Sequence, residues 1–249
     1  MDHDPRKAFA VGRTQTAAAP DRTPATIIVM GMAALPHPSL TVFAELPLKE
    51  RLFVRGRLAT APLAALAARA EGVRLLDVGC GHGVLVALLA VGNTGRRVVG
   101  IDPDERKIAW ARTSVGRLPN VELRACAIEA LAAERPGEFD TVLVADVLYL
   151  LAAEAWPPFL RAANALLRPG GRLVLKEAED DGSWRVKKAL LQEQLMVRLL
   201  RRTHSSGAVG FAPRATLESA VRDAGFSIEE VVPLARGYST PHLLIVARR

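Results

Sequence analysis

The sequence has few aromatic residues, few cysteines and no long apolar run. Aromatic side chains make up 5% of its 249 residues, and Cys80 and Cys126 are its two cysteines. They lack the spacing of a metal site or of a disulfide framework, which predicts a reducing compartment, the cytoplasm. The apolar run at residues 26–35 has about half the length that spans a bilayer, and the first 25 residues lack the apolar centre of a secretory signal.

A dense tract of lysine and arginine is also missing, although the formal net charge is +7. A cationic surface attracts nucleic acid, anionic lipid or acidic substrates, whereas scattered arginines produce the same total without any such partner. A nucleic-acid partner and peripheral membrane contact therefore stay open, and the nucleic acid is not favoured. The sequence does not indicate an oligomeric state.

Composition and periodicity divide the chain into an extension and one domain. Residues 1–38 are rich in Ala, Pro, Thr and Arg without a sustained period, which predicts a disordered extension. Residues 39–249 are predicted to form the domain. Within it, helical spacing over residues 45–71 predicts two cap helices, the second opening at Pro62. Residues 183–212 contain a long basic amphipathic pattern and are interpreted as an inserted lid helix with its loop. A membrane-surface helix and an ordinary packed helix with a solvated basic face are the alternatives.

Short apolar runs alternate with helical patterns through the middle of the domain. Strands are predicted at 73–78, 97–102, 121–125, 140–145 and 172–176, and helices at 84–90, 105–115 and 154–167. Such alternation predicts an α/β fold with a parallel sheet that is covered on both faces. A helix at 213–224 precedes two closely spaced strands, 227–232 and 243–247, which predict an antiparallel hairpin.

A glycine-rich segment, Asp77-Val78-Gly79-Cys80-Gly81-His82-Gly83, follows the first predicted strand. Glycines there allow a tight turn and close approach of a ligand, and the N-terminus of the next helix suits an anion. Asp102 ends the second strand, where a carboxylate accepts hydrogen bonds from ribose hydroxyls. Nicotinamide-binding domains share this pair. Three further features favour another cofactor: the position of Asp77, the dipeptide Phe139-Asp140 and the turn Arg168-Pro169-Gly170-Gly171 before strand five.

These motifs together resemble the class I S-adenosylmethionine-dependent methyltransferase family over residues 45–249. The resemblance implies a Rossmann-like, doubly wound seven-stranded sheet with a C-terminal antiparallel hairpin and an inserted helix between strands five and six. It implies S-adenosyl-L-methionine as the cofactor. The implied cofactor-binding residues are Asp77, Gly79, Cys80, Gly81, Gly83, Asp102, Pro103, Ala127, Ile128 and Asp146.

The resemblance also divides the roles among these residues. Asp77 and the backbone of the glycine loop would hold the methionine end, Asp102 the ribose, and Pro103 the adenine. Family members often carry an Asp after strand three that accepts from the adenine amino group. Ala127 occupies that position here, so recognition of adenine is expected from the backbone of Ala127 and Ile128.

Candidate catalytic residues lie at the carboxyl ends of strands four and five: Asp146, Tyr149, Lys176 and Glu177. Ligands of open α/β sheets bind at that edge. Each assignment has an alternative, since an Asp in this position also caps helices, and adjacent Lys and Glu form plain ion pairs. His204 and His242 are interpreted as structural or exposed, and His82 is expected to face a neighbouring loop. No convincing metal-binding constellation is visible.

The expected function is transfer of a methyl group to a small-molecule or lipid-like acceptor by in-line displacement, which depends mainly on alignment. An RNA-directed methyltransferase and a non-catalytic cofactor-binding partner protein remain alternatives, and so does a nicotinamide dehydrogenase. The acceptor atom cannot be read from the sequence.

Overall fold

The computed structural model describes residues 38–184, 186, 211–234 and 240–249. The predicted extension at 1–38 lies outside these residues, except for residue 38. Most of the predicted lid segment at 183–212 also lies outside them, and so does His204. None of the helices in the described ranges is long and apolar enough to cross a membrane.

Seven strands form one sheet in the order β3-β2-β1-β4-β5-β7-β6. The strands are β1 (Arg74–Val78), β2 (Arg97–Ile101), β3 (Val121–Arg124), β4 (Phe139–Ala145), β5 (Leu167–Ala178), β6 (Ser227–Pro233) and β7 (His242–Arg248). Strands β1 to β5 run parallel, whereas β7 is antiparallel to both β5 and β6. The predicted fold class is confirmed, including the C-terminal hairpin.

Seven α-helices lie within the described residues: α1 (Leu48–Thr60), α2 (Leu63–Ala67), α3 (Val84–Gly92), α4 (Glu105–Thr113), α5 (Ile128–Glu134), α6 (Trp156–Leu166) and α7 (Arg214–Asp223). Helix α6 begins two residues later than predicted, after a 3-10 turn. Pro157 and Pro158 lie in its first turn. Backbone N–H groups there have no partner within the helix, so the missing N–H of proline costs no hydrogen bond. Helix α5 was not predicted, because seven residues are too few to show a period.

Apolar side chains pack on both faces of the sheet. Leu75, Leu143, Val174 and Leu244 point to the face that α1 to α4 cover. Their neighbours Leu76, Val142, Leu173 and Leu243 point to the face that α5 to α7 cover. This alternation follows from the two-residue period of a strand, and burial on both faces explains why the strands appear as continuous apolar runs.

Strand β5 begins five residues before its predicted start. Leu167 already pairs with Phe139, and the register then shifts before Arg172 pairs with Thr141. The intervening turn contains Gly170 at φ +71°, a left-handed conformation that favours glycine. The Pro-Gly-Gly turn is therefore an excursion within the strand, and not the connection that precedes it.

Candidate functional site

The three glycines after β1 all have positive φ, between +55° and +79°, but they serve different purposes. A Cβ on Gly79 would lie 2.6 Å from Val147 Cγ2, and one on Gly83 would lie 2.5 Å from Val115 Cγ2. A Cβ on Gly81 would meet nothing within 4 Å. Two of the glycines thus allow close packing, and the third borders open space that a ligand can enter.

Asp102 joins this loop to the end of β2. Its carboxylate accepts hydrogen bonds from the backbone N–H of Gly81 at 3.1 Å and of Asp104 at 2.9 Å, and it is almost fully buried. A carboxylate has about four acceptor positions, so these two bonds leave capacity for two hydroxyl groups. The geometry is therefore compatible with binding of a ribose.

Asp77 is a buried acid beside the loop, with 2% of its surface exposed. Its Oδ2 atom has no hydrogen-bond partner within the described part of the chain. Burial raises the pKa of Asp77 to about 8, the charge of Arg57 opposes this rise, and the charge of Asp102 adds to it. A buried carboxylate is costly without a partner, and an external cation would supply one.

Asp146 follows β4 and lies between two cations. Arg57 Nη2 is 2.6 Å from its Oδ2, and Lys176, which is fully buried, contacts its Oδ1. Burial opposes ionisation of Asp146, but the two cations outweigh it and hold the pKa of this carboxyl well below its usual range. The carboxylate does not cap the 3-10 turn that follows.

Glu177 binds the backbone of that turn instead. Its Oε1 accepts hydrogen bonds from the N–H of Val147 at 2.9 Å and of Leu148 at 2.8 Å. Burial and the nearby charge of Asp146 raise its pKa to about 7. The adjacent residues Lys176 and Glu177 thus have separate partners, both of them at the end of β4.

Helix α1 lies across the carboxyl edge of the sheet. It contacts the glycine loop through Glu50, whose Oε2 is 2.9 Å from His82 Nε2, and it reaches Asp146 through Arg57. At its end, the backbone of Thr60 lies close enough to His242 to affect the pKa of that imidazole. Thirteen residues span about 20 Å, and the three inter-strand steps from β1 through β4 and β5 to β7 span about 14 Å. The helix is therefore long enough to cover four strands.

The two remaining predicted histidines take structural positions. The ring of His82 faces helix α1 and not a loop, and its centroid is 4.9 Å from that of Phe53. His242 begins β7 inside the sheet, where burial and the charge of Lys176 lower its pKa to about 4. His242 is therefore neutral at physiological pH.

This edge offers complementary groups for a zwitterion that is joined to a nucleoside. Asp77 presents a buried oxygen for a cation, and Arg57 brings a guanidinium to the same edge, where it pairs with Asp146. Asp102 has acceptor capacity for two hydroxyls. Open space at Gly81 separates the groups that would bind the two ends of such a molecule. S-adenosylmethionine has this combination of groups, and the residues fit it.

A family model described as a methyltransferase domain matches residues 50–231 of the chain. The chain belongs to the class I S-adenosylmethionine-dependent methyltransferase family. The match covers strands β1 to β5 and most of β6, and it includes every residue that the sequence predicted for the site.

Curated relatives of this methyltransferase include ubiquinone biosynthesis O-methyltransferases. The protein from Azotobacter vinelandii (strain DJ / ATCC BAA-1303) is 31% identical over 175 residues, which are 70% of this chain and 73% of the relative. The human mitochondrial protein is 30% identical over 166 residues, and this chain spans 43% of its length. Among solved structures, the S-adenosylmethionine-dependent methyltransferase SibL in its apo form is 27% identical. It has a TM-score of 0.61 over 84% of this chain and 61% of SibL.

In this methyltransferase, the residues predicted to bind the methyl donor lie along one edge of the sheet and differ in their exposure. Pro103 and Ala127 are exposed, and Ile128 is buried in the first turn of α5. Cys80 directs its sulfur into the core, 3.0 Å from where a Cβ on Gly100 would lie, so a ligand would meet its backbone. Tyr149 is half-buried and forms an edge-to-face contact with Phe211 at 5.8 Å.

Sequence reasoning missed Arg57. Glu50, Val54 and Arg57 are separated by four and three residues, which is the spacing of one helix face, and this face turns toward the sheet. Leu48 and Leu52 dominate the apolar pattern of the same helix, yet they are exposed. The helical spacing of the charged residues Glu50 and Arg57 could have revealed the inward face.

We expect Gly81→Ala to weaken binding of S-adenosylhomocysteine, the demethylated donor, with little loss of stability. The new methyl group meets no protein atom, so folding loses only about 1 to 2 kcal/mol from the left-handed backbone. A ligand in the same space would clash with it. Calorimetric titration should show a dissociation constant raised by at least about tenfold.

Gly83→Ala is the matched comparison, because its methyl group would overlap Val115. This variant should have a lower melting temperature than Gly81→Ala. Unchanged donor binding in Gly81→Ala would contradict the placement of the donor over this glycine.

Proposed function

We propose that this methyltransferase binds S-adenosylmethionine along the carboxyl edge of the sheet and methylates a hydroxyl oxygen of a small, lipid-like acceptor. Bound there, S-adenosylmethionine would supply a methyl group that its sulfonium already activates. The observation that carries the donor half is the unsatisfied buried oxygen of Asp77, which lies within electrostatic reach of the Arg57 guanidinium at the same edge.

Asp77 and Arg57 are proposed to hold the two charges of the methionine end. The free oxygen of Asp77 would accept hydrogen bonds from the ammonium group, and Arg57 would donate to the carboxylate. Arg57 now donates to Asp146, so this step requires it to change partner. Lys176 stays with Asp146 and keeps that carboxylate compensated. The backbone of Gly79 and Gly81 completes the proposed subsite, while the Gly81 N–H stays bonded to Asp102.

The nucleoside end is proposed to lie between β2 and α5. Asp102 would accept from the two ribose hydroxyls, and the exposed ring of Pro103 offers a surface for the adenine. Ile128 lies in the first turn of α5, where backbone N–H groups have no acceptor within the helix. Together with Ala127, it provides the polar edge that adenine requires.

The acceptor half of the proposal is supported by the relatives, which are named for O-methylation in ubiquinone biosynthesis. Of the four predicted catalytic residues, Tyr149 is half-buried, whereas Asp146, Lys176 and Glu177 are buried. Tyr149 is therefore the one we assign to the acceptor side. Its contact with Phe211 forms an aromatic wall that suits a flat acceptor. Leu48 and Leu52 are 67% and 57% exposed, which suits delivery of such an acceptor from a membrane surface.

The acceptor can be tested with labelled donor and two catechols, one plain and one with an isoprenoid tail, presented in anionic vesicles. We expect methylation of one hydroxyl, with kcat/KM at least about tenfold higher for the tailed compound, because each buried methylene contributes about 0.8 kcal/mol. Cellular RNA is the competing acceptor in the same assay. Labelling of RNA alone, or of neither catechol, would overturn this half of the proposal.

We also propose the cytoplasm as the compartment. Cys80 and Cys126 are both free thiols, which a reducing compartment preserves. The word mitochondrial in the name of the human relative describes that protein.

A further inference from the structure

The turn after β4 has an unfavourable backbone conformation. Asp146 has φ +59°, and within the described residues it is the one non-glycine residue with positive φ. Residues other than glycine rarely adopt this backbone conformation, and they keep it only when the surrounding contacts hold them. The contacts that hold this turn therefore determine where the Asp146 carboxylate lies.

Strand β5 supplies several of these contacts from two adjacent residues. The carbonyl of Lys176 accepts from the Asp146 N–H at 2.9 Å, and the Lys176 ammonium contacts the Asp146 carboxylate. Glu177 then accepts from the next two N–H groups, those of Val147 and Leu148. Three consecutive backbone N–H groups are thus fixed by β5.

The same turn forms one wall of the glycine loop. Val147 Cγ2 approaches within 2.6 Å of the position that a Cβ on Gly79 would occupy, so the loop and the turn are in close van der Waals contact. Because interiors are close-packed, a displaced Val147 would move the loop as well. The turn thus carries both the Asp146 carboxylate and a wall of the proposed donor subsite.

Glu177 is a costly residue for a purely structural task. It is 2% exposed, and its Oε2 has no hydrogen-bond partner within the described part of the chain. Glutamine would offer the same carbonyl-type acceptor to Val147 and Leu148 without burying an ionisable group. Because its Oε1 is committed to the turn, Glu177 can act on the site through that turn.

We propose that Glu177 is a positioning residue of the donor site, which holds the 146–148 turn so that Asp146 and Val147 stay in place beside the glycine loop. This inference rests on the proposed donor site. It does not depend on the identity of the acceptor, because donor binding can be measured alone.

The test compares Glu177→Met and Glu177→Gln with a matched control, Thr141→Val. Thr141 is fully buried on the neighbouring strand β4, and its hydroxyl makes two hydrogen bonds with the backbone of Glu71 near the opposite end of the sheet. The control therefore removes two partly buried hydrogen bonds at a distance from the donor site. Calorimetric affinity for S-adenosylhomocysteine and the melting temperature are measured for each protein.

We expect Glu177→Met to raise the dissociation constant of S-adenosylhomocysteine about tenfold, because two backbone donors lose their acceptor. Glu177→Gln should restore the affinity to within about twofold of the wild type, since it keeps that acceptor. Thr141→Val should lower the melting temperature and leave the affinity unchanged. If Glu177→Met fails to fold, Glu177→Asp withdraws the acceptor by one methylene and carries the same expectation.

Unchanged affinity in a folded Glu177→Met or Glu177→Asp would overturn the inference about Glu177. Binding of S-adenosylhomocysteine by the wild type would still support the donor site in that case. An equal loss in Thr141→Val would also overturn it, because the effect would then follow stability and not position. A wild-type protein that does not bind S-adenosylhomocysteine would overturn both proposals.

Discussion

Asp77→Asn is expected to weaken binding of S-adenosylhomocysteine by roughly 10- to 100-fold, because a charge-assisted hydrogen bond is lost. The same substitution is expected to raise the melting temperature of the ligand-free protein. Asp77 is buried with an unpartnered oxygen, and the neutral amide removes an ionisable group from that place. Opposite effects on binding and on stability are typical of a site that is organised for a ligand.

The pH dependence follows from the direction of the pKa shift. The pKa of Asp77 rises from 3.8 to about 8 on folding, so the folded protein retains a proton that the unfolded chain releases. Stability from this group is therefore present at low pH, and it decreases as the pH rises from about 4 to about 8. The gain in melting temperature for Asp77→Asn should be near zero at pH 4 and largest at pH 8.

Binding should depend on pH in the opposite direction. The ammonium group of the ligand requires ionised Asp77, so wild-type affinity should rise up to about tenfold per pH unit toward pH 8 and then level off. Calorimetry in buffers of different ionisation enthalpy should detect the released proton. Asp223→Asn, on the exposed end of α7, is the control and should change neither measurement. A wild-type affinity that falls between pH 6 and pH 8 would contradict the role of Asp77.

Arg57→Met is expected to raise the dissociation constant of S-adenosylhomocysteine by roughly tenfold or more, because a charged hydrogen-bond donor to the ligand carboxylate is lost. The informative comparison is 5′-methylthioadenosine, which has the nucleoside and the sulfur without the amino acid. Its affinity should not change, since Arg57 is proposed to contact only the carboxylate. Both titrations are made on the same preparation.

Arg55→Met is the matched control for this variant. Arg55 lies on the same helix with its side chain exposed, so its loss should leave both affinities unchanged. Equal weakening of the two ligands in Arg57→Met would mean that the helix had shifted as a whole. Full retention of S-adenosylhomocysteine binding would exclude Arg57 as the partner of the carboxylate.

Most of the fold could be predicted because it depends on local patterns. Buried strands appear as apolar runs, and the turns beside them carry glycine. The position of Asp102 could also be predicted, since the end of a strand next to a glycine loop defines an edge of the sheet. These features depend on neighbours within a few residues, which a single sequence shows directly.

Contacts between distant segments could not be predicted in the same way. Lys176 approaches Asp146 because the register of β4 and β5 pairs Ala145 with Lys176, and no local pattern contains that register. The orientation of α1 is a second case. Its residues Leu48 and Leu52 are exposed, whereas Val54 packs into the core and Arg57 reaches Asp146.

Helix α1 also links opposite ends of the polypeptide. It precedes the first strand in the chain, yet its last residue, Thr60, lies beside His242 at the start of the last strand. A ribosome would therefore release this helix well before β7, so the contact at its C-terminal end can form only after β7 is in place. Fraying or cleavage within β7 would then loosen the end of α1. Other residues of the same helix contact the glycine loop and Asp146, so the disturbance would extend to the donor site.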